Sequence, residues 1–231
     1  MNLKAFTTSL YHPRNALSKL TNLNRKSCQL GKHTRSHFPN RVNKRVSSPF
    51  ALVHSDVWGP SHTTSTLDSK YFATFIDDFS HCTWLFLMKN RSELFSIFEQ
   101  FYREIKTQFS VFIRTLRSDN AHEYFPHQFQ NFMSSNGILH QTSCPHTPQQ
   151  NGVAERKKRH LIETTRTLLL HGNVPSQFWG DVVLTTCYVI NRMPSSVLDE
   201  KISSFDYFST FPSSSPCLRV HMFCSQSLSC P

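Results

Sequence analysis

The chain has 231 residues and a formal net charge of +10, and 38% of its residues are hydrophobic, including 20 phenylalanines. This length and apolar content suit one sizeable folded domain with appendages, and the charge indicates a polyanionic partner. Seven cysteines without a C-x-x-C pair argue against a disulfide framework, and the sequence shows neither a signal-peptide h-region nor an apolar run of membrane-spanning length. These features exclude a disulfide-rich secreted scaffold and a membrane protein. We expect a protein of the nucleus or cytoplasm with no membrane partner.

The positive charge is concentrated at the N-terminus. Residues 1–55 contain ten Lys and Arg and no Asp or Glu, whereas residues 56–231 contain fifteen of each kind. A segment of this composition is typical of arms that lie along nucleic-acid phosphates, although a solvated linker would look the same. We define residues 1–45 as a basic arm and leave both interpretations open.

Three strands are predicted after the arm. In residues 52–58 apolar and polar side chains alternate until Gly59-Pro60 ends the strand. The segments "YFATFIDD" (71–78) and "CTWLFLMK" (82–89) are mostly apolar, which predicts that both are central strands. A short turn joins them, so the three strands should form an antiparallel meander.

Helices and strands then alternate. The predicted elements are a helix over 92–109, a strand over 112–119, a short helix over 127–137, a strand over 138–143 and helices over 153–171 and 176–192. Ser92 is the predicted N-cap of the first helix, and Gly137 closes the short one. This order predicts an α/β fold in which a mixed five-stranded sheet is flanked by helices. We assign residues 46–208 to this core and residues 209–231 to an irregular tail.

Three carboxylates stand out by position. Asp56 lies near the end of the first strand, Asp119 ends the fourth, and Glu155 lies in the first turn of the helix that begins near residue 153. Functional sites gather at strand ends in α/β sheets, and converging carboxylates require a divalent cation such as Mg²⁺ or Mn²⁺. Each acid alone has a structural explanation as a turn or helix-start residue. Asp77 and Asp78 lie where the hairpin turns, which favours a structural role for them.

A second signal surrounds Glu155. The segment "SCPHTPQQNGVAERKKRH" (143–160) passes from turn-forming residues into a helix in which four consecutive cations follow this acid. Lys158 and Arg159 lie three and four residues after Glu155, hence on the same helix face. Such a cluster suits an anion held beside a carboxylate, whereas the alternative is a solvated basic face.

These motifs resemble a known family. "HSDVWGP", "RSDNAHEYF" and "NGILHQTSCPHTPQQNGVAERKKRH" are similar to the catalytic core of integrases of Copia-type long-terminal-repeat retrotransposons, over about residues 28–220. Asp119 and Glu155 are separated by 35 residues, which is the spacing of that family's D,D-35-E signature. The resemblance implies an RNase H-like fold, with Asp56, Asp119 and Glu155 as the catalytic acids that bind two Mg²⁺ or Mn²⁺ ions. It also implies 3′-end processing of the element's DNA, transfer of that end into target DNA, and a homo-oligomer in the active state.

Specific DNA contacts follow from this resemblance. Lys158 and Arg159 are the foremost predicted phosphate contacts, while Arg156 and Lys157 should point more sideways. Gln149 and Asn151, in the loop before the helix, are further predicted DNA contacts. Turn chemistry explains Asn151-Gly152 equally well, and the loop should be mobile about Gly152.

The chain departs from the family pattern in two places. The family carries a His-His-Cys-Cys zinc module before the core, but here His12 and Cys28 remain while Arg25 replaces a Cys. With two of four ligands missing, we expect no zinc in the arm. After "SDN" the family has two glycines where this chain has Ala121-His122, which predicts backbone strain beside Asp119.

Two alternatives to an active integrase core remain open. One is a decayed or domesticated DNA-binding remnant, and the other is an RNase H-like nuclease, which the "TPQQNGVAE" loop disfavours. The tail adds a further prediction. It resembles the family through "CLRV" (217–220), but "HMFCSQSLSCP" does not. We predict that the tail is read in a shifted frame and that the chain is a fragment of a longer polyprotein.

Overall fold

The computed structural model describes residues 46–143, 151–195 and 201–202. The basic arm at 1–45 lies outside the described residues, and so does the tail at 209–231. The predictions about zinc, His12, Cys28 and the reading frame therefore stay predictions. Most of the predicted core domain is described, including both strands that carry the aspartates and the helix that carries Glu155.

A mixed five-stranded sheet forms the centre of the described residues. Its strands are β1 (Val53–Trp58), β2 (Tyr71–Asp77), β3 (Thr83–Met88), β4 (Thr115–Ser118) and β5 (Leu139–Thr142). The order in the sheet is β3-β2-β1-β4-β5, with β1, β2 and β3 antiparallel and β4 and β5 parallel to β1. The predicted meander followed by βα units is confirmed. A two-stranded ladder, β6 (Pro194–Ser195) with β7 (Lys201–Ile202), stands apart from this sheet.

Four helices accompany the sheet in the part of the chain that the structure describes. They are α1 (Leu94–Phe109), α2 (His127–Ser135), α3 (Gly152–His171) and α4 (Trp179–Arg192). A single 3₁₀ turn precedes α1 at Arg91–Glu93 and another precedes α4 at Ser176–Phe178. Within the described part of the chain, no helix has both the length and the apolar character to cross a bilayer.

Helices α1 and α2 cover one face of the sheet with an aromatic core. Leu94, Phe98, Phe101 and Ile105 recur every three or four residues along α1 and are fully buried. The ring of Phe101 stacks on Phe75 of β2, with centroids 4.6 Å apart and planes 9° from parallel. We call this side the α1/α2 face.

Helices α3 and α4 cover the opposite face with a smaller core. Leu161 of α3 and Trp179 and Val183 of α4 pack there against Phe72 of β2 and its neighbours. Buried polar groups also occur on this side. Asn191 of α4, for example, bonds the backbone of Thr83, with its Nδ2 donating to the carbonyl at 2.7 Å and its Oδ1 accepting from the N–H at 3.0 Å. We call this side the α3/α4 face.

Two local predictions were wrong. Ser92 does not cap the first helix, because the chain enters it through a 3₁₀ turn whose N-cap is Asn90. The carboxylate of Glu93 supplies the cap by accepting the N–H groups of Lys89 and Asn90, each at 3.1 Å. Strand β3 is apolar but lies at the edge of the sheet, because helices on both faces bury an edge strand as well as a central one.

Candidate metal and nucleic-acid site

Asp56 and Asp119 lie side by side at the ends of two parallel strands. In the β1–β4 pairing, Val53 is opposite Leu116 and His54 is opposite Arg117. The same register, continued three residues from Val53, brings Asp119 opposite Asp56. Neighbouring strands are only about 4.8 Å apart, and the charge of Asp119 acts on the pKa of Asp56. The predicted convergence of these two acids is therefore present.

Lys158 of α3 forms an ion pair with Asp56. Its Nζ lies 2.6 Å from Oδ2 of Asp56, and the carboxylate side chain is only 2% exposed. That oxygen has no hydrogen-bond partner among the described residues besides this ammonium. Lys158 also acts on Asp119 by its charge. The ammonium of Lys158 thus provides the positive charge next to both aspartates, and we call it the resident cation of the pair.

The pKa values of both aspartates are raised. Burial is the main cause of the raised pKa of Asp56; Lys158 counteracts it and Asp119 adds to it. Burial also raises the pKa of Asp119, against the N–H of Ala121 and the charge of Lys158. Raised carboxylate pKa values mean that ionisation of the pair is unfavourable in the folded protein, so positive charge is needed there. The ammonium of Lys158 supplies positive charge at Asp56 in this structure.

Glu155 does not complete a three-carboxylate cluster with this pair. It occupies the first turn of α3, half-buried and three residues before Lys158, so the two side chains share one helix face. Across residues 46–143 and 151–195, no three His, Cys, Asp or Glu side chains are gathered closely enough to hold a metal ion. The structure therefore brings together two of the three predicted acids, with the third on the adjoining helix turn.

Arg91 links the two segments that follow Asp56 and Asp119 along the chain. Its Nη1 pairs with Oε1 of Glu123 at 2.6 Å, and its Nη2 donates to the carbonyl of Gly59 at 3.0 Å. Gly59 follows β1 and Glu123 follows β4, so one guanidinium links the segments after Asp56 and Asp119. The sequence did not reveal this role, because Arg91 is distant from both segments along the chain.

The expected strain after Asp119 is absent. Ala121 has φ −75° and ψ 142°, an ordinary extended conformation, and His122 begins a 3₁₀ turn that ends at Tyr124. The N–H of Ala121 also caps Asp119, with 3.3 Å to Oδ1. Beneath it, the buried hydroxyl of Tyr124 is 2.7 Å from Oγ of Ser55, a contact that joins this turn to β1. The non-glycine residues are therefore accommodated without left-handed backbone.

The two acids at the β2–β3 turn are structural, as predicted. Asp77 accepts the N–H of Phe50 at 2.8 Å and both the N–H and the hydroxyl of Ser80 at 2.9 Å. Asp78 lies 2.9 Å from Nε2 of His54. These bonds fix the turn and the start of β1, away from the strand end that carries Asp56.

Asn151 connects the start of α3 to strand β1. It is 1% exposed, and its Nδ2 donates to the carbonyl of Ser55 at 3.2 Å. This bond ties the start of α3 to the residue before Asp56. This burial and the bond to β1 argue against the predicted DNA contact by Asn151. Gln149 and the loop at 144–150 lie outside the described residues.

The four cations after Glu155 have different environments. Arg156 and Arg159 are exposed, so their predicted DNA contacts stay predictions. Lys158 pairs with Asp56, as described above. Lys157 turns toward α4, where burial lowers its pKa and the thiols of Cys82 and Cys187 act on it. That position argues against a DNA contact by Lys157.

The fold and the site together define a class of protein. A mixed five-stranded sheet flanked by helices, with paired aspartates at the ends of adjacent strands β1 and β4, is an RNase H-like fold with an acidic site. Helix α3 brings a further carboxylate and cations to that same end of the sheet. Carboxylates held together in this way suit hard divalent cations.

Comparison with known proteins identifies the family. Residues 46–148 match the family described as integrase core domain. The chain is 40% identical over 168 residues to the retrovirus-related Pol polyprotein of the tobacco transposon TNT 1-94, an alignment that covers 73% of this chain and 13% of that protein. It is 38% identical over 152 residues to the Pol polyprotein of the Arabidopsis thaliana transposon RE2, covering 66% of this chain and 10% of the relative. The chain thus belongs to the integrase core domains of retrotransposon Pol polyproteins, and the Copia-type resemblance is confirmed. It spans about a tenth of the length of these relatives.

Solved structures agree with the fold. The HTLV-2 integrase catalytic core domain in complex with magnesium, in a trimeric form, matches with a TM-score of 0.51 at 17% identity, over 69% of this chain and 97% of that one. A chain of the simian T-cell lymphotropic virus intasome, solved with PP2A regulatory subunit B56 gamma, matches with a TM-score of 0.51 at 20% identity, over 64% and 50%. The predicted RNase H-like fold is confirmed.

Proposed function

We propose that this chain is the catalytic core of a retrotransposon integrase, which processes the 3′ ends of the element's DNA and transfers them into target DNA. The observation that carries the proposal is the pairing of Asp56 with Asp119 across β1 and β4, where burial raises both pKa values. Such a pair needs a cation to be ionised. Phosphoryl transfer at a phosphodiester uses cations held in this way.

The residues present suit a divalent metal ion. Asp56 and Asp119 offer hard oxygen ligands, and one oxygen of Asp56 meets only the ammonium of Lys158 among the described residues. Asp56 and Asp119 would hold Mg²⁺ or Mn²⁺, with Glu155 contributing from α3. A bound metal ion would activate the attacking oxygen and stabilise the leaving oxygen of the phosphodiester. The HTLV-2 core domain, which has the same fold, is in complex with magnesium.

Lys158 has a distinct part in this proposal. Its ammonium balances the aspartate pair when no divalent ion is bound, since it lies 2.6 Å from Asp56. A divalent ion held by Asp56 would compete with this ammonium, because two positive charges at one carboxylate repel each other. The released ammonium then lies beside the site and can neutralise a DNA phosphate.

DNA would approach along the exposed side of α3. Arg156 and Arg159 are solvent-exposed there, and guanidinium groups bind phosphate oxygens in a bidentate manner. Together with the basic arm, these groups supply sequence-independent affinity that falls as salt rises. We also propose that the active form is a homo-oligomer, in keeping with the intasome and trimeric assemblies of the proteins that share the fold.

The test is a DNA-joining assay. Purified chain is mixed with labelled duplex DNA carrying the element's terminal repeat and with Mn²⁺, and we expect shortened 3′ ends and strand-transfer products. Asp119→Asn should abolish both products, whereas Asp68→Asn, at an acid of the β1–β2 connection whose side chain is 80% exposed, should not. Absence of products from the unaltered chain at saturating Mn²⁺ would overturn the proposal.

One observation favours a second function. The ion pair between Lys158 and Asp56 neutralises the site without metal, so the chain could persist as a DNA-binding remnant that no longer needs the cation. That function predicts DNA binding that is unchanged by Mn²⁺ or chelator and by Asp119→Asn. The assay above, combined with binding measurements, separates the two.

A further inference from the structure

A cavity of about 500 Å³ adjoins the aspartate pair on the α3/α4 face. It lies between the end of β1, the connection that follows β1, and helices α3 and α4. Trp58, two residues beyond Asp56, lines it, and so does Lys158, the partner of Asp56. Its volume is within the range of about 300–1,000 Å³ that is usual for small-molecule sites. The cavity is thus large enough for a nucleobase with its sugar, and Trp58 and Lys158 place it beside the end of β1 that carries Asp56.

One wall of the cavity is an aromatic surface made by Trp58, Phe72 and Trp179. The indole of Trp58 stacks on Phe72 at 5.0 Å, and its edge contact with Trp179 is at 5.5 Å. Phe72 and Trp179 are themselves only 6.5 Å apart, which is too close for them to lie on opposite faces of the indole. No described aromatic ring therefore stacks on the other face of Trp58, and the residue is half-buried and lines the cavity.

The charge of the cavity is positive. Lys158 and Arg166, both on α3, line it, and none of its described lining residues is Asp or Glu. The two cations lie eight residues apart on one helix, about 12 Å along its axis, so they bracket the aromatic wall. A ligand that places a flat ring on Trp58 and negative charge toward α3 matches this arrangement.

The cavity walls are held in place before any ligand binds. Nε1 of Trp179 donates to the carbonyl of Thr63 at 2.9 Å, and the N–H of Thr66 donates to the carbonyl of Gln177 at 3.1 Å. These bonds fasten the β1–β2 connection to the start of α4. A preformed wall of this kind binds a ring without first ordering a loop.

We propose that this cavity binds an unpaired nucleobase of the DNA strand whose phosphate lies at the aspartate pair. The base stacks on the indole of Trp58 where it lines the cavity, and Lys158 and Arg166 contact the phosphates on either side of it. The inference rests on the proposed function, which supplies the DNA, but it concerns a site separate from the carboxylates. Stacking of this kind tolerates every base, so the site recognises an unpaired end and not a sequence.

The test compares two DNA duplexes by fluorescence anisotropy in EDTA, so that no strand is cut. One duplex has a short unpaired 3′ end, and the other is identical except that its unpaired residues are abasic. Since stacking on an aromatic side chain is worth about 1–3 kcal/mol per base, we expect the base-bearing end to bind about 5- to 160-fold more tightly. Equal affinities for the two duplexes, or no binding to either, would overturn the inference.

Two variants assign the preference to the cavity. Trp58→Leu removes the stacking surface, and Ile162→Phe fills the cavity from α3, so each should bind the two duplexes equally. Tyr188→Leu is the matched control, because Tyr188 is an exposed aromatic residue of α4 outside the cavity, and it should keep the preference. A preference that survives in both cavity variants would overturn the inference.

Failure of this inference differs from failure of the proposed function. If the abasic and base-bearing ends bind alike while DNA joining proceeds in Mn²⁺, the cavity assignment is wrong and the integrase assignment stands. If the base preference is present and depends on Trp58 but no DNA is joined, the cavity assignment stands and the proposed activity does not.

Discussion

The two faces of the sheet differ in what they bury. On the α1/α2 face the core is mainly aromatic and aliphatic, with closely spaced rings such as Phe75, Phe98 and Phe101. The α3/α4 face has a smaller core, a cavity, and buried polar groups such as Asn191. Both faces share the same strands, so the contrast comes from the helices.

This difference separates stability from function. Close aromatic packing adds to the free energy of unfolding and offers no place for a ligand. The other face retains a lysine whose pKa burial lowers, Lys157, and an aspartate, Asp56, whose pKa burial raises. Groups of this kind cost stability and are characteristic of functional sites. We therefore expect substitutions on the α1/α2 face to affect folding and those at the aspartates to affect chemistry.

The largest expected effect is on the α1/α2 face. Phe101→Ala should lower the free energy of unfolding by about 3–5 kcal/mol, because it opens an enclosed cavity among stacked rings. Phe72→Ala is the matched change on the other face, where the ring already borders open space, and should cost less. Urea titrations followed by circular dichroism measure both. Equal losses would show that the two cores are equally well packed.

The next effect concerns Asp119 and separates chemistry from folding. Asp119→Asn should reduce DNA joining by more than about 100-fold, since even residues that only orient metal ligands typically contribute 10–100-fold. Burial raises the pKa of Asp119, so its ionisation opposes folding once the pH exceeds the unfolded-state value of about 3.9. The variant should therefore be at least as stable as the native chain at pH 7 in EDTA. A clear loss of stability there would mean that the carboxylate is structural.

A smaller effect is expected at Lys158, which tests its role as resident cation. Lys158→Met leaves Asp56 buried without its partner, and unfolding in EDTA at pH 7 should become easier by about 1–3 kcal/mol. Saturating Mn²⁺ should restore much of this loss, and the thermal shift caused by Mn²⁺ should be larger than in the native chain. Arg156→Met, at an exposed cation of the same helix, is the control. An unchanged thermal shift would contradict competition between ammonium and metal.

The smallest effect contrasts a structural carboxylate with the site pair. Burial alone would raise the pKa of Asp78, but hydrogen bonds from His54 and the N–H of Val46 outweigh it and hold the pKa below its usual value. Its contribution is therefore present above pH of about 3.9 and is lost as the pH falls through the folded-state pKa. Asp78→Asn should cost roughly 1 kcal/mol at pH 7 and less at pH 3. A loss that is the same at both pH values would remove the electrostatic explanation.

Strand and helix positions followed from local patterns, and so did the alignment of two acids. Alternation and apolar runs located all five strands of the sheet, and the three- and four-residue spacing of apolar residues located α1. The closeness of Asp56 and Asp119 followed from one rule about strand ends. These features depend on residues that are near one another in sequence or on a general property of parallel strands.

Features that depend on tertiary contacts could not be predicted. The edge position of β3 depends on which helices cover it, and the helix entry at Asn90 depends on the reach of Glu93. Asn151 and Lys158 are both predicted DNA contacts because their segment is basic and turn-rich. Their partners, Ser55 and Asp56, lie about a hundred residues earlier in the sequence. No local sequence pattern indicates a contact between residues so far apart along the chain.

The two thiols beside Lys157 provide a means of observing the α3/α4 face directly. Cys82 is fully buried and Cys187 is 5% exposed, and burial raises the pKa of both, that of Cys187 to about 12. Because the thiolate is the reactive form, neither group is available to an alkylating reagent while α4 stays on the sheet. Their alkylation rate therefore measures how often α4 detaches from β3. These two cysteines are natural probes of local opening on the α3/α4 face.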